Sequence, residues 1–89
     1  MTFFKDPSAS LDYTIDWSAW LGTDTIATST WTAATGIAVG VTTNTTTSAT
    51  VWLSGGTVGQ FYAVTNHIVT AAGRTDSRTL SIEVQVKTL

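Results

Sequence analysis

The sequence predicts an all-β domain, a sandwich of six to seven short antiparallel strands, and three observations point to it. Roughly a fifth of the 89 residues are Thr, a β-branched type whose stiff side chain suits a pleated strand and weakens a helix. Apolar residues recur at every second position in several separate runs, the period of a half-buried strand. Turn residues interrupt those runs about every 8–12 residues, and no helical heptad is present, a spacing typical of sandwiches and small barrels.

Taken in order, residues 1–10 form an N-terminal arm. Phe3 and Phe4 precede Lys5-Asp6-Pro7-Ser8, a turn signal in which Pro7 forbids a helix and pushes Asp6 toward an extended conformation. Adjacent residues on an extended chain face opposite ways. One Phe is therefore expected on the parent domain, and the other is exposed or docked on a neighbouring subunit.

Residues 11–89 form one immunoglobulin-like domain, since a chain this short buries only about 60–65% of its unfolded surface and has no material for a second core. Leu11, Tyr13 and Ile15 alternate with Asp12, Thr14 and Asp16, a first clear strand. The alternation breaks at Asp16-Trp17-Ser18-Ala19-Trp20-Leu21-Gly22, where Asp16 can cap a short helical turn near residues 17–21 and Gly22 can end it. Trp17, Trp20 and Leu21 then share a face able to plug one end of a sandwich.

A Thr-rich strand from Thr25 closes on Trp31 and Thr32, and Ala33-Ala34-Thr35-Gly36 is a turn. Ile37, Val39 and Val41 alternate next, after which Thr42 to Ser48 reads as a polar turn with frayed strand ends around Asn44. In the following strand Ala49, Val51 and Leu53 share one face and Thr50 and Trp52 the other. A Gly-rich bend, Gly55-Gly56-Thr57-Val58-Gly59, leads to the longest strand, with Tyr62, Val64, Asn66, Ile68 and Thr70 on one side. Its hairpin partner starts near Thr75 and alternates through Leu80, Ile82, Val84 and Val86. The approach Gly59, Tyr62, Val64 and the Gly-containing hairpin after it match the penultimate strand of immunoglobulin-like folds, where a Tyr hydroxyl bonds back to the backbone at a corner.

Charge narrows the function classes. Charged residues are 11% of the chain, against about 25% in an ordinary domain, and net charge is −2 with four basic residues. Nucleic acid is not an expected partner, because phosphate recognition needs clustered Lys and Arg. The chain has no Cys, so thiolate metal sites and disulfides are excluded. No apolar run reaches the roughly 18 residues of a membrane span, and the N-terminus lacks the basic start and apolar stretch of a signal peptide. A soluble protein made in the cytoplasm is expected. Low charge also permits dense packing into an assembly.

Chemistry is sparsely provided for. His67 is the single His, and an exposed or hydrogen-bonded strand His is its ordinary role. Asp12 and Asp16 share a strand face without metal-loop spacing, and the Gly55-Gly56 bend lacks the Lys-Ser/Thr of a phosphate loop. No Ser sits in a nucleophile elbow. No catalytic residue, metal or cofactor is expected.

Aromatic residues carry more information. Four Trp is high for this size, and Trp favours core margins and interfaces. Phe3, Phe4, Trp20 and Trp52 are the candidate contact residues, joined by Arg74 and Arg78 in the hairpin segment Gly73-Arg74-Thr75-Asp76-Ser77-Arg78, because Arg anchors interfaces. The bland alternative is a solvated turn with a local Arg–Asp76 pair.

Several blocks together carry a family likeness: Lys5-Asp6-Pro7 leading into Leu11-Asp12-Tyr13, the tryptophan block Asp16 to Gly22, Val51-Trp52-Leu53-Ser54-Gly55-Gly56, Val64-Thr65-Asn66-His67-Ile68, and Ala72-Gly73-Arg74-Thr75-Asp76-Ser77-Arg78. In that order they resemble a family of small tailed-bacteriophage proteins, described as fiber-tail adaptors or minor virion structural proteins. The resemblance implies a virion component without enzyme activity or cofactor, present in several copies. Its expected partners are tail, neck or fiber subunits and copies of itself, with no membrane, nucleic acid or small-molecule substrate. The leading expectation is an adaptor joining a fiber or appendage to the tail or neck as a homo-oligomer. Alternatives are a capsid decoration protein and a carbohydrate-binding module, the last requiring Trp residues aligned on one open face.

Overall fold

The computed structural model describes residues 2–6 and 9–85. The expected turn at Pro7-Ser8 and the expected ends of the last strand at Val86 and Lys87 lie outside the described residues. Seven strands and one helical turn follow in the order β1 (Thr2–Lys5), β2 (Leu11–Asp16), α1 (Ser18–Leu21), β3 (Ile26–Ala33), β4 (Ile37–Asn44), β5 (Ser48–Gly55), β6 (Phe61–Thr70) and β7 (Thr75–Val84). They build two sheets, β1-β7-β6-β3 and β2-β5-β4, packed face to face over one core.

That core is made by the predicted alternation. Val51 and Leu53 of β5, Val64 and Ile68 of β6, and Leu80, Ile82 and Val84 of β7 are all fully buried, with Tyr13 and Ile15 of β2 beside them. Period-2 pleating sends their neighbours to solvent, and those outward positions carry hydroxyls where charges are usual. Thr14 and Thr50 are cross-strand partners whose hydroxyls meet at 2.8 Å, and Thr65 and Thr79 repeat this at 3.0 Å on the other sheet. Such pairs stabilise a strand pair by roughly 0.2–1 kcal/mol each.

Two expectations differ in detail. The arm's residues 2–5 add a strand at the sheet edge, and β1 runs parallel to β7, with Phe3 opposite Ile82 and Lys5 opposite Val84. Phe3 inserts its ring edge against Tyr13 at 5.4 Å, Tyr13 Oη donates to Phe4 O at 3.1 Å, and the buried Lys5 donates from Nζ to Gly55 O at 2.7 Å and Asp6 O at 2.9 Å. Removal from water lowers the Lys5 pKa, partly offset by the Asp6 charge. Secondly, β4 continues to Asn44, where a turn was expected from Thr42. Its register shifts between Val39 and Thr42, which sets Gly40 and Val41 against Trp52 as a bulge. The bulge twists this edge strand away from further pairing.

One pole of the sandwich is organised by Tyr62, whose Oη accepts the Thr57 N–H at 2.8 Å, the expected corner. Its ring lies between two glycines of positive φ. A Cβ on Gly36 (φ 108°) would stand 2.9 Å from Tyr62 Cε1, and one on Gly56 (φ 96°) would stand 2.6 Å from Val84 Cγ2. No larger residue fits either position.

The opposite pole is closed by Trp17, which is fully buried. Its Nε1 donates to Asn66 Oδ1 at 2.9 Å, and the buried Asn66 amide donates to Ser29 Oγ at 2.8 Å and Thr30 O at 3.0 Å. One side chain thus ties α1's entry to both β6 and β3.

Two substitutions check this account. Asn66→Ala strands the indole N–H in a dry site, and chemical denaturation is expected to report a loss of about 1–3 kcal/mol. Gly56→Ala is expected to cost about 1–3 kcal/mol through overpacking against Val84, measured the same way. Wild-type stability in either variant contradicts the packing described.

Candidate interaction surface

The surface is best built outward from the Trp17 pole. Asp16 Oδ1 accepts the Ser18 N–H at 2.9 Å, a bond that lowers the Asp16 pKa, and Gly22 ends the turn at φ 62° with its N–H on Ser18 O. This turn sets Trp17 and Trp20 edge to face, with centroids 5.5 Å apart. The β6–β7 hairpin then covers both rings with arginines: Arg78 lies over Trp17 at 4.3 Å and Arg74 over Trp20 at 4.4 Å. Cation–π contacts of this kind contribute about 0.5–2 kcal/mol, more as water is excluded.

Hydrogen bonds fix the two guanidinium groups. Arg78 Nη1 donates to Asp16 O at 3.2 Å. Arg74 donates from Nη2 to Leu21 O at 2.9 Å and from Nε to Asp24 Oδ2 at 3.1 Å. The carboxylate partner of Arg74 is therefore Asp24, not the neighbouring Asp76. Asp24 also accepts the Thr25 and Ala72 N–H groups at 2.8 and 3.2 Å. A hydrogen bond from the Thr70 hydroxyl, followed by those from Thr25, Arg74 and Ala72, holds its pKa down to about 2. Leu21, Gly22, Thr23, Asp24, Ala72 and Arg74 enclose a shallow open depression beside this clip.

The candidate contact residues fall in different places. Arg74, Arg78 and Trp20 form this one cluster, where their polar and aromatic groups meet one another. Phe3 is half-buried against Tyr13. Phe4 is 53% exposed, so of the arm's two Phe residues one packs on the domain and one faces solvent. Trp52 stands on the outer face of the second sheet, 42% exposed, opposite Asp12. Trp17 is buried while Trp20 and Trp31 are half-buried, so the four Trp do not line one open face.

Sequence reasoning passed over Phe61, Val58 and Val41, which are 62%, 49% and 66% exposed. The signal for Phe61 was its parity: it precedes Tyr62, whose face is the core face of β6, and so points outward. His67 is exposed, with Nδ1 2.7 Å from Ser77 Oγ. Among the described residues no cluster of His, Asp and Glu could hold a metal ion, and no helix is long and apolar enough to cross a membrane.

Comparison with known proteins adds one match. The protein-family model described as podophage GP4 fiber-tail adaptor protein gp77 matches residues 5–83. No individually curated protein matches the chain.

The clip at Asp24 predicts a pH dependence. A depressed carboxylate pKa stabilises the fold fully above the ordinary value of 3.8, and that contribution is lost as pH falls toward about 2. Thermal melting of wild type and Asp24→Asn is expected to differ at neutral pH and to converge in that acid window. A difference that persists undiminished at pH 2 contradicts the clip.

Proposed function

The chain belongs to the podophage fiber-tail adaptor family, and from that premise we propose that it is a non-enzymatic structural adaptor of the virion, joining a fiber to the tail as a homo-oligomer. The observation that carries this reading is the extent of the match, which runs from the last residue of β1 to the penultimate residue of β7. The family description thus applies to β2 through β6, to nearly all of β7 and to the last residue of β1.

Physical features support the same reading. The outer face of the β1-β7-β6-β3 sheet is paved mainly with Thr and Ser, that of the other sheet mixes them with Asp12, Asp16 and Trp52, and the exposed apolar residues are distributed over two sheets and a loop. A protein with contact groups on several sides suits a joint between different partners better than a single ligand pocket. The strand order β2-β5-β4 against β3-β6-β7 corresponds to B-E-D and C-F-G of immunoglobulin-like sandwiches, and the Tyr62 corner supports that assignment. Such sandwiches serve as binding scaffolds through their faces and loops. The scattered Trp residues disfavour a carbohydrate module, whose aromatic platform needs one open face. Synthesis in the host cytoplasm followed by assembly into the particle completes the proposal.

Cryo-EM of the intact particle tests it. The expected result is a small closed ring of this chain at the junction of tail and fiber. Copies spread over the head surface favour capsid decoration instead, and absence from the particle overturns both.

A further inference from the structure

The outer face of the β1-β7-β6-β3 sheet carries one feature that its own fold does not use. Phe4 of β1 and Phe61 of β6 are both register partners of Glu83 of β7, so the three side chains form one row across three strands. The two Phe residues are 53% and 62% exposed, and Glu83 between them is half-buried. Two strand spacings separate the flanking backbones by about 10 Å. That width admits one planar guanidinium within the roughly 6 Å reach of cation–π attraction on both sides.

Glu83 is the only charged side chain at outward-facing positions of this sheet among the described residues; the rest of the face is hydroxyl, small, aliphatic, aromatic or imidazole. Gln85 Nε2 donates to its Oε2, which occupies one of about four acceptor sites on a carboxylate. The same chain shows what such a carboxylate and ring can hold. At the other pole Arg74 lies 4.4 Å from the Trp20 centroid with its Nε 3.1 Å from Asp24 Oδ2. The Phe4–Glu83–Phe61 row has the ring and carboxylate components of that arrangement without an arginine.

A second copy of the chain is poorly supplied to provide one. Among the described cations Lys5 is buried on carbonyl oxygens, Arg74 is held by Asp24 and Leu21, and Arg78 lies on Trp17 with its hydrogen bond to Asp16. We propose that the row is a seat for an arginine side chain of a different virion protein, its guanidinium lying between Phe4 and Phe61 and hydrogen-bonded to the Glu83 carboxylate. This rests on the adaptor reading, which supplies the protein partner; the charge and the rings specify its chemistry. Arginine fits better than lysine, because a flat delocalised cation can stack on rings and meet a carboxylate side-on at once.

Val58 lies beside the row, because the Gly59 N–H bonds Val84 O at 2.9 Å, and it is 49% exposed. A benzophenone amino acid placed at position 58 leaves the seat intact. Particles carrying it are purified and irradiated, and the cross-linked peptides are sequenced. The expected result is a cross-link beside an arginine in a different virion protein. In particles carrying Glu83→Arg, retention of that partner is expected to fall by roughly tenfold or more, and Glu substituted for the partner's arginine is expected to restore it. The Glu83→Arg chain and the double variant Phe4→Ser/Phe61→Ser are expected to keep wild-type circular dichroism, since all three side chains face outward.

A cross-link only to another copy of this chain, or a peptide without a nearby arginine, overturns the seat. So does full retention of the partner in the double variant. In those cases particles still contain the chain at the fiber junction, and the adaptor reading stands. Absence of the chain from wild-type particles removes both.

Discussion

Taking an indole N–H out of water without an acceptor is costly; Trp31 Nε1 is buried without a partner, whereas the structure turns on the acceptor that Trp17 finds. Asn66 Oδ1 accepts the indole N–H at 2.9 Å, and its own amide nitrogen is spent on β3. A buried polar network is stabilising only when each member finds a partner. This one is placed where α1, β3 and β6 meet, so the largest aromatic side chain of the core is also a register pin. With Trp17 fixed, its outer face becomes a platform for Arg78, and Trp20 becomes one for Arg74. Asp24 then draws the hairpin and the α1–β3 connection together.

The consequence extends to charge. Described cations are committed to holding the fold, while the sheet faces rely on hydroxyl pairs such as Thr14–Thr50 and Thr65–Thr79. Thr satisfies both demands of such a surface, since its branched body suits the pleat and its hydroxyl bonds across strands. Little like-charge repulsion then opposes close packing beside other proteins, which suits a component of a crowded particle. Isolated carboxylates such as Glu83 stand out chemically against that background.

Much of the fold was legible because strand burial has a period of two. Val51 and Leu53, Val64 to Thr70, and Leu80 to Val84 carried their facing in their spacing, and Asp16 and Gly22 marked the helical turn between them. Tyr62 was legible as a corner because the glycine and valine around it form a local pattern. What escaped was decided by non-local contacts. Nothing near Thr2 to Lys5 indicates a parallel pairing with β7, and Arg74 has an acidic neighbour at Asp76 yet bonds Asp24, fifty residues away in sequence. In Thr42 to Asn44 every side chain is polar, so alternation leaves no trace and a strand resembles a turn. Trp20, expected as a contact residue, is half-buried beside Trp17 and under Arg74, while Phe61 was overlooked because no neighbouring motif marks it.

The central claim is that Trp17 and Asn66 form the dry joint on which this end of the molecule is assembled. Native-state hydrogen exchange of the four indole N–H groups by NMR tests it most directly. The account predicts that the Trp17 indole exchanges only through global unfolding, with the protection of the slowest backbone amides of β6, while the exposed Trp52 indole exchanges rapidly. Trp17 exchange as fast as that of Trp52 would contradict it.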